Sequence, residues 1–229
     1  MSSRRRIVLA TLAFVALTGC DQGSRIIGLG GSGGATVRFV NATAVALDLT
    51  ANGQVVGGNG RIPAGTSTSC LPVDPTNTTV GIRQVNGTTD IPGFTPTFTV
   101  GRTYTVVVFS GGTGATQTVT MLDAFTPRSG LSGLRIFDAA SATGPLDVYV
   151  TAPGAPLSVP SSASIGFGGN TGFFEVNPGA NQVRFTVATT PIPAFDAGTI
   201  TLVPGQSSTL VLVPVAGSSI PTAVLLPAC

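Results

Sequence analysis

Asp138 and Asp147 are the two carboxylates whose spacing would suit paired acid–base work. Held a few ångströms apart, one would protonate a glycosidic oxygen while the other served as base or nucleophile. An upstream stretch repeats this region with Asn41 and Asp48 in the corresponding places, so the pair is not duplicated and reads as structural. The 229 residues contain no His and no Lys. Without His there is no Ser-His-Asp or Cys-His nucleophile system, and without Lys neither a Ser-Lys pair nor Schiff-base chemistry. Zinc and non-haem iron sites lose their usual imidazole ligand. No EF-hand loop, Walker loop or dinucleotide fingerprint appears, and no spacing supports a calcium site. The expectation is a non-enzymatic protein with no catalytic residue, no cofactor and no metal.

Thiols are the other reactive groups: Cys20, Cys70 and Cys229. Cys20 stands behind a basic start with Arg4, Arg5 and Arg6 and an uncharged stretch over 7–19. That stretch is shorter than the roughly 20 apolar residues a membrane-spanning helix needs. A basic start followed by a short apolar segment reads as a secretory signal peptide over 1–19. Leu17-Thr18-Gly19-Cys20 resembles the lipobox of bacterial lipoproteins. The resemblance implies lipid transfer to the Cys20 thiol, cleavage before it and acylation of the new amino group. Each buried methylene contributes about 0.8 kcal/mol, and two or three chains on one residue anchor stably where one does not. Asp21 in the next position resembles the inner-membrane retention signal of enteric lipoproteins. Cys70 and Cys229 then remain as an even pair, permitted to bond outside the cytosol. Geometry decides between a disulfide and two unpaired thiols, since a Cα separation beyond about 7 Å forbids the bond.

The elements that must carry these residues are strands. Charged residues are 9% of the chain, 31 residues are Gly and 42% are hydrophobic. Short apolar-alternating runs between Gly, Pro and Asn clusters indicate an all-β protein, with no long helical period after the signal peptide. Without residues 1–19, eight arginines face nine carboxylates, a formal −1 that leaves no basic footprint for nucleic acid. Residues 20–34 form the lipidated Cys and a Gly/Ser tether reaching roughly 20 Å. The remainder repeats. "ATVRFVNATAVALDLTANG" at 35–53 resembles "SGLRIFDAASATGPLDVYVTAPG" at 132–154, "VDPTNTTVGI" at 73–82 resembles "VNPGANQVRF" at 176–185, and "FTVGRTYTVVVF" at 98–109 resembles "TLVPGQSSTLVLV" at 201–213. Two tandem Ig-like β-sandwich domains of some seven strands each follow, domain 1 over 35–125 and domain 2 over 133–229, joined by a linker over 126–132.

The strand patterns "VRFVNA…LDL" and "LRIFDA…LDVYV", with a later Gly-x-x-Tyr-Thr-Val-Val-Val run, resemble the DUF4397 family of bacterial envelope β-domains. The resemblance covers both copies. It implies the fold, tandem arrangement and envelope location, and no activity. Family members often carry a His near the end of the first strand, where this chain has Asn41 and Asp138.

Arg38 matches Arg135 and Asp48 matches Asp147. If their strands are neighbours, each Arg–Asp couple would make a cross-strand ion pair contributing below about 1 kcal/mol. In "IGFGGNTGFFEV" at 165–176, Phe173 and Phe174 must face opposite ways along a strand. Phe167, Phe173 and Phe174 therefore either cover the contact between copies or form an exposed apolar patch for a partner. The sequons at Asn41, Asn77 and Asn86 read as coincidence. The expected function is a membrane-anchored envelope lipoprotein presenting a structural or binding surface. Its partners would be the membrane, through the N-terminal lipid, and an envelope or extracellular protein or polysaccharide. A surface adhesin or matrix protein, and a peptidoglycan- or carbohydrate-binding module, are the alternatives.

Overall fold

The computed structural model describes residues 34–111 and 114–229. The signal-peptide segment, Cys20 and all of the tether but residue 34 lie outside the described residues. The rest is all-β apart from one 3-10 turn at Gly58–Gly60, and its strands form four sheets. The first half contains β1 (Ala35–Ala42), β2 (Leu47–Ala51), β3 (Gln54–Val55), β4 (Arg61–Ile62), β5 (Leu71–Val73), β6 (Val80–Gln84), β7 (Thr103–Ser110) and β8 (Thr116–Leu122). The second contains β9 (Ser132–Asp138), β10 (Leu146–Thr151), β11 (Ser162–Ile165), β12 (Phe174–Val176), β13 (Gly179–Val187), β14 (Pro193–Leu202), β15 (Ser207–Val213) and β16 (Thr222–Leu226). The linker expected over 126–132 falls between β8 and β9, and its last residue, Ser132, already belongs to β9.

The inner sheets of the two halves repeat one pairing scheme, whereas in the outer sheets β14 extends β13 but β6 pairs with β2 alone. In the first, the order β5-β1-β7-β8 faces a sheet of β2 with β3, β4 and β6. In the second, β12-β9-β15-β16 faces β11-β10-β13-β14. Each inner sheet has a parallel central pair, β1 with β7 and β9 with β15. The repetition extends to single bonds. Thr68 Oγ1 accepts the Phe39 amide, and Thr171 Oγ1 accepts the Ile136 amide in the same place of the second copy.

Side chains alternate across a strand, so an inner strand that is apolar on both faces must serve two cores. Val37 and Phe39 of β1 and Tyr104, Val106 and Val108 of β7 pack toward the first copy's own second sheet, with Leu49 and Ile82. Leu134, Ile136, Leu210 and Leu212 do the same in the second copy. The intervening residues Val40, Val107 and Phe109 meet Phe137, Val211 and Val213 in a third apolar core between the copies. The result is four layers with two inner sheets back to back. Phe109 sits at the centre of this seam, 1% exposed, with its ring edge-on to Phe137 at 5.5 Å and to Phe167 at 5.2 Å.

Candidate functional site

The polar end of the seam follows from the same alternation. Arg38 shares the face of Val40, and Arg135 shares the face of Phe137, so both guanidinium groups turn toward the other copy. Both are buried, at 7% and 3% exposure. Strand register gives the correspondence residue by residue. Arg38 lies opposite Thr105, and Arg135 opposite Thr209. Thr105 lies opposite Met121, and Thr209 opposite Leu226. Counting onward, Leu122 corresponds to Pro227, Asp123 to Ala228 and Ala124 to Cys229. On the other flank, Val37 pairs with Leu71 and Leu134 with Phe174, so Cys70 corresponds to Phe173.

The contacts across the seam are reciprocal. Arg135 Nη1 donates to the Leu122 carbonyl at 3.2 Å, and Arg38 Nη1 donates to the Pro227 carbonyl at 2.6 Å. Arg135 stacks over the ring of Phe173, 4.4 Å from its centroid, and Phe173 stacks in turn on Phe125 at 5.2 Å. At the matching place Arg38 Nη2 donates to Cys70 Sγ at 3.0 Å, and Cys70 is bonded to Cys229 with a Cα separation of 5.8 Å. An aromatic stack clasps one flank of the seam and a disulfide clasps the other. Gly133 makes room for the first, since a Cβ there would stand 2.8 Å from the Phe125 ring.

One element breaks the reciprocity. Asp123 accepts from Arg135 Nη2 and, at 2.7 Å, from the Thr105 hydroxyl. Its counterpart Ala228 has no charge, so Arg38 has no carboxylate within ion-pair distance among the described residues. Burial pulls Arg38 below the ordinary arginine range, and the charge of Asp123 offsets part of that. Burial lowers Arg135 likewise, against its direct bond to Asp123. Arginine keeps its proton through such shifts. Among the described residues, Asp123 is thus the side-chain carboxylate that serves both arginines, beside a cleft of about 310 Å³ lined by Arg38, Thr105, Asp123, Phe125, Phe173 and the 227–229 segment.

The expected Arg38–Asp48 and Arg135–Asp147 ion pairs do not form. β1 and β2 belong to different sheets, as do β9 and β10, so alternation turns the arginines toward the seam between the copies and leaves the aspartates in another layer. Asp48 pairs with Arg61 on β4 at 3.0 Å. Asp147 accepts the amides of Ser164 and Thr189, both at 2.8 Å. The Phe residues at 165–176 occupy three separate settings, and none is exposed. Phe167 joins the core between the copies, Phe174 packs against the second copy's core, and Phe173 holds Arg135. They form no common apolar patch. Covering the contact between copies describes Phe167 and Phe173, and Phe174 turns inward as the alternation required.

Asp138 is fully buried and holds a turn, accepting the Ala140 amide at 2.9 Å and the Thr143 hydroxyl at 3.0 Å. Asn41 does the same work in the first copy, where its Oδ1 accepts the Thr43 amide at 2.9 Å. Burial raises the Asp138 carboxyl above its ordinary range, more than these two bonds lower it. A folded-state pKa raised above the unfolded one favours the folded protein below the unfolded value, and that advantage is lost as pH rises through the folded value. Asp138→Asn cannot ionise. It is expected to raise stability at pH 7 by on the order of 1 kcal/mol, the scale of one buried hydrogen-bond adjustment. It should also flatten the dependence of stability on pH from the acid range to neutrality. Denaturant titrations at several pH values measure both, and a variant less stable than the parent at pH 7 would show that the turn uses the ionised carboxylate.

Among the described residues, no group of three His, Cys, Asp or Glu side chains comes together. Sequence reasoning found Arg38 and Arg135 as matched residues and Cys70 with Cys229 as a pair. It missed Asp123, Thr105 and Phe125, whose roles depend on a packing of sheets that no local pattern encodes.

No curated protein matches this chain. A family model described as a domain of unknown function, DUF4397, matches residues 35–149. The match takes in all of β1–β8, then β9 and the start of β10. This is the region that builds the first copy and supplies Arg38, Asp123 and Arg135 to the seam. The chain belongs to the DUF4397 family.

Proposed function

We propose that this protein is a non-enzymatic lipoprotein of the bacterial cell envelope, held to a membrane by acyl chains on Cys20. It carries a rigid body of two DUF4397-type β-sandwiches, each of immunoglobulin size, as a structural or binding surface. The Cys70–Cys229 bond carries the reading. A structural disulfide supports folding outside the reducing cytosol, which is where a lipobox-bearing signal peptide would deliver the chain. The carboxylates that sequence reasoning weighed for catalysis support a non-enzymatic role. Asp138 and Asp147 stand in different sheets; Asp138 accepts one backbone amide and one hydroxyl, and Asp147 accepts two backbone amides. The clasped seam suits a module that displays a fixed surface.

Metabolic labelling with a fatty acid tests the anchor. The parent should incorporate label and fractionate with membranes, and Cys20→Ala should do neither through that residue. Label retained in Cys20→Ala would overturn the anchor. Protease treatment of intact cells then separates a surface-displayed body, which is digested, from a periplasmic one, which is protected until lysis.

A further inference from the structure

The reciprocal seam contains two buried arginines and one carboxylate, and the place of the second carboxylate is occupied by Ala228. Among the described residues Arg38 uses two of its five donors, one on the Pro227 carbonyl and one on Cys70 Sγ. The rest of its charge has no counter-ion among the described residues, and the group borders an open cleft. The cleft adds hydroxyls from Thr103, Ser207 and Thr209, and the Phe125 ring forms an apolar wall. Its volume, about 310 Å³, stands at the small end of the range of ligand sites and exceeds what a bare inorganic anion fills.

We propose that this cleft is a binding site for a small organic oxyanion, a carboxylate or a phosphate monoester with a planar or apolar body. The oxyanion takes the counter-ion place at Arg38 that Asp123 fills at Arg135. A guanidinium fork matches both oxyanions in two-point geometry, and a partly desolvated site strengthens the attraction. The body of the ligand lies against Phe125. Asp123 limits affinity, because its charge already serves both arginines. The site needs both copies and the disulfide, since Arg38 comes from one half and the 227–229 wall from the other. It does not depend on the lipid anchor.

The test uses the purified full chain at constant ionic strength, with benzoate, phenyl phosphate, acetate and inorganic phosphate as calorimetric titrants. Benzoate or phenyl phosphate should bind one to one and at least tenfold more tightly than acetate or inorganic phosphate. Ala228→Asp supplies the missing carboxylate on an exposed residue, so it should leave the protein folded and abolish binding. Ala228→Asn fills the same place without the charge, and should weaken binding less than Ala228→Asp. Arg38→Gln should weaken binding at least tenfold, and Arg61→Gln, a surface arginine paired with Asp48, should leave it unchanged. Benzoate alone or phenyl phosphate alone identifies which oxyanion the cleft prefers. No saturation by any of the four at millimolar concentration, the weakest range of specific binding, would overturn the proposal. So would unchanged affinity in a folded Ala228→Asp protein.

Discussion

Cys70→Ser is expected to destabilise the folded protein by about 3–5 kcal/mol and to lower its melting temperature by on the order of 10 °C. The bond joins residues 159 positions apart, so in the chain-entropy model it removes about 5 kcal/mol of freedom from the unfolded chain. Bonds between positions so far apart gain the most in that model, and this one links the two copies. Cys229→Ser should cost the same, and the double variant should cost no more than either single one, because all three delete one bond. The reduced parent should melt with the variants. Thermal unfolding with and without reductant measures this, and equal melting temperatures for oxidised and reduced parent would mean that the clasp adds nothing.

Phe109→Ala acts at the other fastening of the seam. The ring is buried among Val107, Phe137, Phe167 and Val213, and its loss leaves a cavity that two sheets fixed by their own ladders cannot close. Large-to-small changes of this kind cost about 3–5 kcal/mol. The consequence reaches beyond the number. With the disulfide reduced and Phe109 truncated, the two copies keep their separate cores and lose the covalent tie and the largest side chain of the core between them. Calorimetry should then resolve two transitions where the oxidised parent shows one. A single transition in the reduced Phe109→Ala protein would mean that the linker and the Arg135–Phe173–Phe125 stack suffice to couple the halves.

Much of the architecture is readable in the residue order because each block of the repeat names its own strands. "VRFVNA" and "LRIFDA" become the first inner strands of the two copies, and "YTVVVF" and "TLVLV" become their parallel partners. The even pair of cysteines is likewise legible as a bond. What the order conceals is which sheet a strand joins. Arg38 and Asp48 lie on polar positions of adjacent strands, and a hairpin would have paired them. The chain instead crosses to a second sheet between β1 and β2, leaving Asp48 to Arg61. The seam is concealed for a related reason. Alternation marks a strand with one wet face, whereas Tyr104–Phe109 is buried throughout and so carries no alternation to read. Such a run is evidence of a strand covered on both faces. The cover here is the second copy, and only the count of cores reveals it. Asp123 is one carboxylate following β8 with nothing in its surroundings to mark it, and its role appears only beside the arginine of the other half.

The parallel pairing of β1 with β7 has a mechanical consequence. Residue 34 leads straight into β1, which lies between β5 and β7 and is bonded along seven successive register positions, Thr36 to Ala42, to β7. A pull delivered through the residues before Ala35 runs along the strand axis. It loads those rungs together, in shear, where a hairpin pulled open at its end would release its rungs one at a time. The reciprocal clasps then pass the load sideways into the second copy through covalent and stacked contacts. Were the body held through the residues before Ala35, this geometry would resist extraction at the end where the tension arrives.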